Sequence, residues 1–152
     1  MEYAVVIPAR YESTRLPGKP LIELCGVPMV VRTYRRCALA VNADRIHVAT
    51  DDDRIEEVCR SEGIQVIRTS STCLTGTDRV AECARVLDVD TYLNVQGDEP
   101  VFEPADLSLL VDQARSRPDE CSTDVVRLET MRSSMIVPYR KWSADPMGVC
   151  ST

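Results

Sequence analysis

The sequence predicts an α/β architecture with a mostly parallel sheet, and three observations predict it. Short continuous apolar runs, such as Tyr3-Ala-Val-Val-Ile-Pro8, suit strands buried on both faces. Amphipathic segments of helical period alternate with those runs. Polar, charge-bearing loops follow several runs at their carboxyl ends, where open parallel sheets bind ligands.

The elements follow in order. The Tyr3–Pro8 run is the first strand, and a polar, basic loop extends from Ala9 to Lys19. Pro28 opens a helix with Val31, Tyr34, Ala38 and Val41 on one side, since proline is favourable at a first helical position. Arg45–Thr50 reads as a second strand containing His47, the single histidine. The Asp51–Asp53 run caps the next helix, which turns Ile55, Val58 and Cys59 inward and stops at Gly63. Ile64–Arg68 is a third strand. Thr77 or Asp78 is expected to cap a helix with Val80, Cys83, Ala84 and Leu87 inward. Thr91–Val95 is a fourth strand, and Pro104 opens a last clear helix carrying Leu107, Leu110, Val111 and Ala114. Beyond Pro118 the pattern weakens to a short strand around Asp124–Leu128 and an extended Ile136-Val137-Pro138.

Composition narrows the function classes. A chain of 152 residues suits one domain, or one domain with part of another. With 44% hydrophobic residues it can build a core, and at this length roughly 68–70% of the unfolded surface is buried. The net charge of −6 argues against a nucleic-acid binder. No apolar run approaches a membrane span, and the N-terminus lacks a signal-peptide pattern, so a cytoplasmic protein is expected. Seven cysteines without a C-x-x-C pair suit reduced, mostly buried thiols better than a disulfide framework or a metal site.

Three segments at strand ends carry chemistry. In the first loop Arg10, Arg15 and Lys19 gather three cations within ten residues, and Ser13 and Thr14 add donors. Such a loop can cradle a polyphosphate; a solvated basic loop has the same composition. It is not a Walker A loop, because Pro20 follows Gly18-Lys19. The second segment, Gln96-Gly-Asp-Glu-Pro100, puts two adjacent carboxylates at a strand end. They suit a hard cation such as Mg²⁺, and equally a turn with a capping acid. Together with the basic loop, a nucleotide–Mg²⁺ site is the better account. The third segment, Asp51–Asp53, suits capping more than metal binding. Gly76-Thr-Asp-Arg79 opens a helix whose amides and Arg79 could meet a phosphate or a base.

These motifs carry a resemblance. Ile7-Pro-Ala-Arg-Tyr-Glu-Ser-Thr-Arg-Leu-Pro-Gly-Lys-Pro-Leu21 closely resembles the signature of the 3-deoxy-manno-octulosonate (KDO) cytidylyltransferase family. Val48-Ala-Thr-Asp51, Gly76-Thr-Asp-Arg-Val80 and Asn94-Val-Gln-Gly-Asp-Glu-Pro100 resemble its later motifs, in order. The resemblance extends over roughly residues 3–117. It implies a Rossmann-like nucleotidyltransferase three-layer sandwich. It also implies transfer of CMP from CTP to KDO or a related 2-keto sugar acid, with release of pyrophosphate.

By this resemblance Ala9, Arg10, Ser13, Arg15 and Lys19 bind the nucleotide, with Arg10 and Lys19 on the triphosphate. Asp98 binds Mg²⁺ beside the α-phosphate, and Arg79 and Gln96 line the substrate pocket. Arg10, Lys19 and Asp98 form the implied catalytic set. Family members are longer, and their second half carries much of the sugar pocket, a second metal-binding Asp and the homodimer interface. The expected division is therefore a nucleotide-binding core over residues 1–117 and a shortened acceptor-sugar region over 118–152. Asp124-Val-Val-Arg-Leu128 and Arg132-Ser-Ser-Met-Ile-Val-Pro138 faintly resemble segments of that second half. No tail Asp is assigned as second metal ligand; Asp145 is present without further support. A non-catalytic nucleotide-binding homologue lacking the acceptor half is the alternative reading.

Overall fold

Side-chain alternation along β1 (Tyr3–Pro8) sets up the layers. All six residues of the strand are buried. Tyr3, Val5 and Ile7 join one hydrophobic cluster, whereas Ala4 and Val6 join another. A strand with two covered faces belongs in the middle of a layered α/β protein. The computed structural model describes residues 2–13, 16–116 and 139–140. It places β1 at the centre of a five-stranded sheet ordered β5 (Gln65–Arg68), β4 (Ile46–Thr50), β1, β6 (Thr91–Asn94) and β7 (Tyr139–Arg140). The first four run parallel, and β7 pairs antiparallel with β6.

Helices cover both faces. The larger cluster packs Val30, Val31 and Cys37 of α1 (Met29–Ala38), Ile55 and Cys59 of α2 (Asp53–Ser61), and Leu107 and Val111 of α4 (Pro104–Ser116) against Ile46, Val48 and Leu93. The smaller cluster packs Val80, Cys83 and Ala84 of α3 (Gly76–Val86) against Ala4, Ala49 and Tyr92. The result is the expected three-layer α/β sandwich. His47 is a buried strand residue, as its apolar context implied, and desolvation holds its pKa below the ordinary value. Cys37, Cys59 and Cys83 are buried free thiols, Cys73 is half-buried and Cys25 is exposed. No helix among the described residues is long and apolar enough to cross a membrane.

Some expectations are corrected in detail. The cap of α3 is Thr75, not Thr77 or Asp78. The Thr75 hydroxyl accepts from the Asp78 amide at 3.1 Å, and the Asp78 carboxylate accepts from the Thr75 amide at 2.8 Å. This is a reciprocal capping box with Asp in place of the usual Glu or Gln. On α1 the buried face runs through Val30, Val31, Thr33 and Cys37, and Ala38 is exposed. A hairpin of β2 (Glu23–Leu24) and β3 (Val27–Pro28) precedes α1. Its two central residues, Cys25 and Gly26, have φ of 51° and 74°. Arg15, the strand around Asp124–Leu128, the Ile136–Pro138 piece and Asp145 lie outside the described residues.

Candidate functional site

β1 and β6 are neighbours although the chain visits β4 and β5 between them. Beyond their carboxyl ends lies a cleft of about 770 Å³. Three loops converge there, as the strand-end rule requires. The loop after β1 contributes Ala9, Arg10, Ser13 and Lys19; the start of α3 contributes Gly76 and Arg79; the turn after β6 contributes Gln96 to Glu99.

The basic loop is built from the strand outward. Ala9 is buried, and its amide extends the β1–β4 ladder to the Ala49 carbonyl at 2.9 Å. Arg10 is exposed and reaches across the cleft, donating from Nη1 to the Leu74 carbonyl at 3.0 Å. Ser13 Oγ accepts from the Leu16 amide at 3.4 Å. The loop closes where the Gly18 amide donates to the Tyr11 carbonyl at 2.8 Å. Gly18 has a φ of 71°, and a Cβ there would sit 3.0 Å from the Tyr11 ring. Arg54 stacks on that ring with its guanidinium carbon 3.2 Å from the centroid. Lys19 then opens a 3-10 turn, Lys19–Leu21, that directs the chain to the hairpin.

The acidic turn faces this loop. Asp98 Oδ2 lies 2.5 Å from Lys19 Nζ, and the two side chains are 46% and 39% exposed. A pair this open contributes at most about 1 kcal/mol to stability, so a ligand can separate it at little cost. Glu99 is next. Burial, and then the neighbouring Asp98, raise its pKa to about 6. Its Oε2 is buried without a hydrogen-bond partner. Gln96 donates to Asn94 Oδ1 at 3.4 Å and approaches Gly76 at the start of α3. Gly97 is required by close approach: a Cβ there would lie 2.9 Å from the Pro8 carbonyl oxygen.

Arg79 lines the cleft, but its guanidinium is already engaged. It is 3% exposed, with Nη2 2.8 Å from Asp51 Oδ1 and Nη1 2.6 Å from Thr69 Oγ1. The Asp51–Asp53 segment is thereby accounted for. Asp51 pairs with Arg79, and Asp52 caps α2 by accepting from the Arg54 and Ile55 amides. The Arg54 side chain holds the Asp52 carboxyl below its ordinary pKa. Ala9, Arg10, Ser13, Lys19, Gln96 and Asp98 thus share one cleft with Arg79. Glu99 and Gly76 also line it; Glu99 is the second of the two adjacent carboxylates that suit a hard cation in the sequence, and Gly76 opens the helix whose amides could meet a phosphate. The approach of Gly76 to Gln96 is a tertiary fact that no local pattern carries.

No cluster of three or more His, Cys, Asp or Glu among the described residues could hold a metal ion by itself. A hard cation that arrives with phosphates needs no such cage, since Mg²⁺ is commonly held by one or two carboxylates together with substrate oxygens. Asp98 and the unpartnered oxygen of Glu99 fit that donor set.

Comparison with known proteins agrees with this fold. A family model described as cytidylyltransferase matches residues 4–137. The 3-deoxy-manno-octulosonate cytidylyltransferase of Geobacter metallireducens is 50% identical over 114 residues, 75% of this chain and 43% of that protein. The mitochondrial enzyme of the same name from Arabidopsis thaliana is 46% identical over 127 residues, 82% of this chain and 44% of that protein. A solved CMP:2-keto-3-deoxy-manno-octonic acid synthetase complexed with CTP superposes with a TM-score of 0.75 at 39% identity, covering 78% of this chain and 49% of its own. A cytidylyltransferase from Leptospira borgpetersenii gives 0.70 at 27% identity, over 78% of this chain and 51% of that one. The chain spans about half the length of the curated relatives it matches. On the family match and this fold, the chain belongs to the cytidylyltransferase family.

Proposed function

We propose that this protein transfers CMP from CTP to KDO, or a related 2-keto sugar acid, and releases pyrophosphate. The observation that carries the reading is the convergence of Arg10, Ser13, Lys19, Gln96 and Asp98 on one cleft. Similarity to KDO cytidylyltransferases, and to a synthetase complexed with CTP, supports the choice of nucleotide and acceptor. In this reading residues 1–117 bind the nucleotide and 118–152 belong to the acceptor side. The expected compartment is the cytoplasm.

The chemistry follows from the charges. The acceptor hydroxyl attacks the α-phosphorus and gives up its proton to solvent, a new P–O bond forms, and the bond to the pyrophosphate oxygen breaks. No side-chain nucleophile is needed, so the protein's work is positioning and charge neutralisation. Arg10 and Lys19 neutralise the leaving pyrophosphate, and the motif resemblance assigns Arg15 to the same nucleotide. Ser13 and the loop amides orient the phosphates, and Gln96 bounds the nucleotide pocket. Asp98, with Glu99 beside it, would hold Mg²⁺, which when bound supplies charge neutralisation at the α-phosphate. Lys19 and Asp98 are paired with each other without ligand, and nucleotide binding exchanges that pair for phosphate and metal contacts. Arg79 supports the pocket wall through Asp51 and Thr69 and leaves the phosphates to Arg10 and Lys19.

The test is calorimetry with CTP and Mg²⁺, followed in the same sample by pyrophosphate release on adding KDO. Binding with release is the expected result. Binding without release would reduce the reading to a nucleotide-binding unit, and no binding would overturn it.

A further inference from the structure

Helix α1 contributes no residue to the lining of the cleft, yet two of its side chains hold the ends of the acidic turn. The Thr33 side chain is fully buried on the α1 face toward the sheet. Its Oγ1 lies 3.1 Å from the Met29 carbonyl, one turn back, and 3.1 Å from the Gly97 carbonyl. The first contact is the ordinary local one of a helical threonine, and the single hydroxyl proton is shared between the two carbonyls. The second spans 64 positions of sequence and joins α1 to the turn that carries Asp98. One turn further along α1, Arg36 donates from Nε and Nη2 to the Phe102 carbonyl at 2.8 and 2.6 Å.

The peptide unit is what matters. The Gly97 carbonyl and the Asp98 amide are one rigid plane. Gly97 is buried and lies against the Pro8 carbonyl so closely that it admits no Cβ. A buried carbonyl needs a donor, and the Thr33 hydroxyl supplies one. Gly97 is thus held between β1 on one side and α1 on the other. That fixes the plane from which the Asp98 side chain departs toward Lys19.

We propose that Thr33 is a positioning residue: its hydroxyl sets the Gly97–Asp98 peptide and so aims the Asp98 carboxylate into the cleft. The proposal rests on the reading of the cleft as a CTP–Mg²⁺ site. It differs from that reading in placing a determinant of the site on a buried helix face outside the cleft.

The test uses Thr33→Val, which keeps the shape and removes the hydroxyl, and Thr33→Ser, which keeps the hydroxyl and loses a methyl. Two quantities are measured on the full chain. One is CTP affinity with and without Mg²⁺. The other is the Gly97 carbonyl ¹³C shift, which moves when its hydrogen bond is lost. Thr33→Val is expected to weaken Mg²⁺-dependent CTP binding about tenfold, the lower end of effects seen when a metal ligand loses its support. Metal-free CTP binding should stay within about twofold, and the Gly97 shift should move. Thr33→Ser should restore both. Loss of affinity that is equal with and without Mg²⁺, or equal in the two variants, would overturn the proposal. Wild-type affinity in Thr33→Val would do so as well. If the unmodified chain binds no CTP, the functional reading fails by itself, and the Gly97 shift decides the role of Thr33: moved in Val and restored in Ser supports it, unmoved in Val overturns it.

Discussion

The loop carrying Arg10 and Lys19 is anchored by the Tyr11 ring on the core and sends its cations out on long side chains, whereas the turn carrying Asp98 is held at backbone atoms by β1 and α1. On the basic side, Arg10 reaches the Leu74 carbonyl, Gly18 closes onto Tyr11, and the exposed charges end in a half-exposed ion pair. On the acidic side, Gly97 is pressed against Pro8 and bonded by Thr33, and Phe102 is held by Arg36. The difference matches what each wall would do in the proposed reaction. A polyphosphate is flexible and multiply charged, so cations on long, exposed side chains can follow it. A hard cation demands a defined oxygen geometry, so its carboxylate is set on a rigid frame.

Breaking the backbone-held wall should cost stability, and removing a cation from the basic wall should cost binding. The largest effect on stability is expected for Gly97→Ala. Its methyl would meet backbone rather than a side chain that can rotate away, so a loss of about 1–3 kcal/mol is expected in urea unfolding. Glu99→Gln comes next. The Glu99 carboxyl has a folded pKa of about 6, raised by burial and by Asp98, against an ordinary 4.5. The folded state therefore holds the proton more tightly, and its contribution is fully present below pH 4.5 and lost as pH rises through 6. In metal-free buffer the wild type should lose stability across that window and Glu99→Gln should not. The difference should stay under about 1 kcal/mol, because the group is partly solvated.

Lys19→Ala sharpens the contrast from the other side. Its stability should change by less than about 1 kcal/mol, while calorimetry should register at least a tenfold loss in CTP affinity, about 1.4 kcal/mol. The smallest effect belongs to Cys25→Asn in the hairpin. Both central residues of that turn have positive φ, a conformation Asn accepts more readily than Cys. A gain of about 0.5 kcal/mol in thermal unfolding is expected.

Strands and helices were legible because their signals are local. The six-residue apolar run of β1 and the Asp52 cap each declare themselves within a few residues. The basic loop and the Gln96–Glu99 turn were legible as chemistry, and the strand-end rule was enough to bring them together. Arg79 was harder, because whether a guanidinium faces a ligand or a half-buried Asp depends on where β4 and β5 end relative to α3. Thr75 was missed because Asp, not Glu or Gln, completes its capping box. The β2–β3 hairpin was missed because two-residue strands carry no period to read. Thr33 looks like any polar residue on a helix until the turn 64 positions away is packed against it.

The three buried cysteines among the described residues have a consequence for following the protein in solution. Burial pushes the Cys37, Cys59 and Cys83 thiols each up to about 12. Thiolate is the reactive form, so these sulfurs stay silent toward alkylating reagents while the core is closed. Cys37 and Cys59 sit in the cluster beneath α1, α2 and α4, and Cys83 sits beneath α3 on the opposite face of the sheet. Their labelling rates, resolved peptide by peptide, are two independent clocks for the opening of the two layers. Comparing the clocks would tell whether the sandwich comes apart as one cooperative body or sheds α3 first.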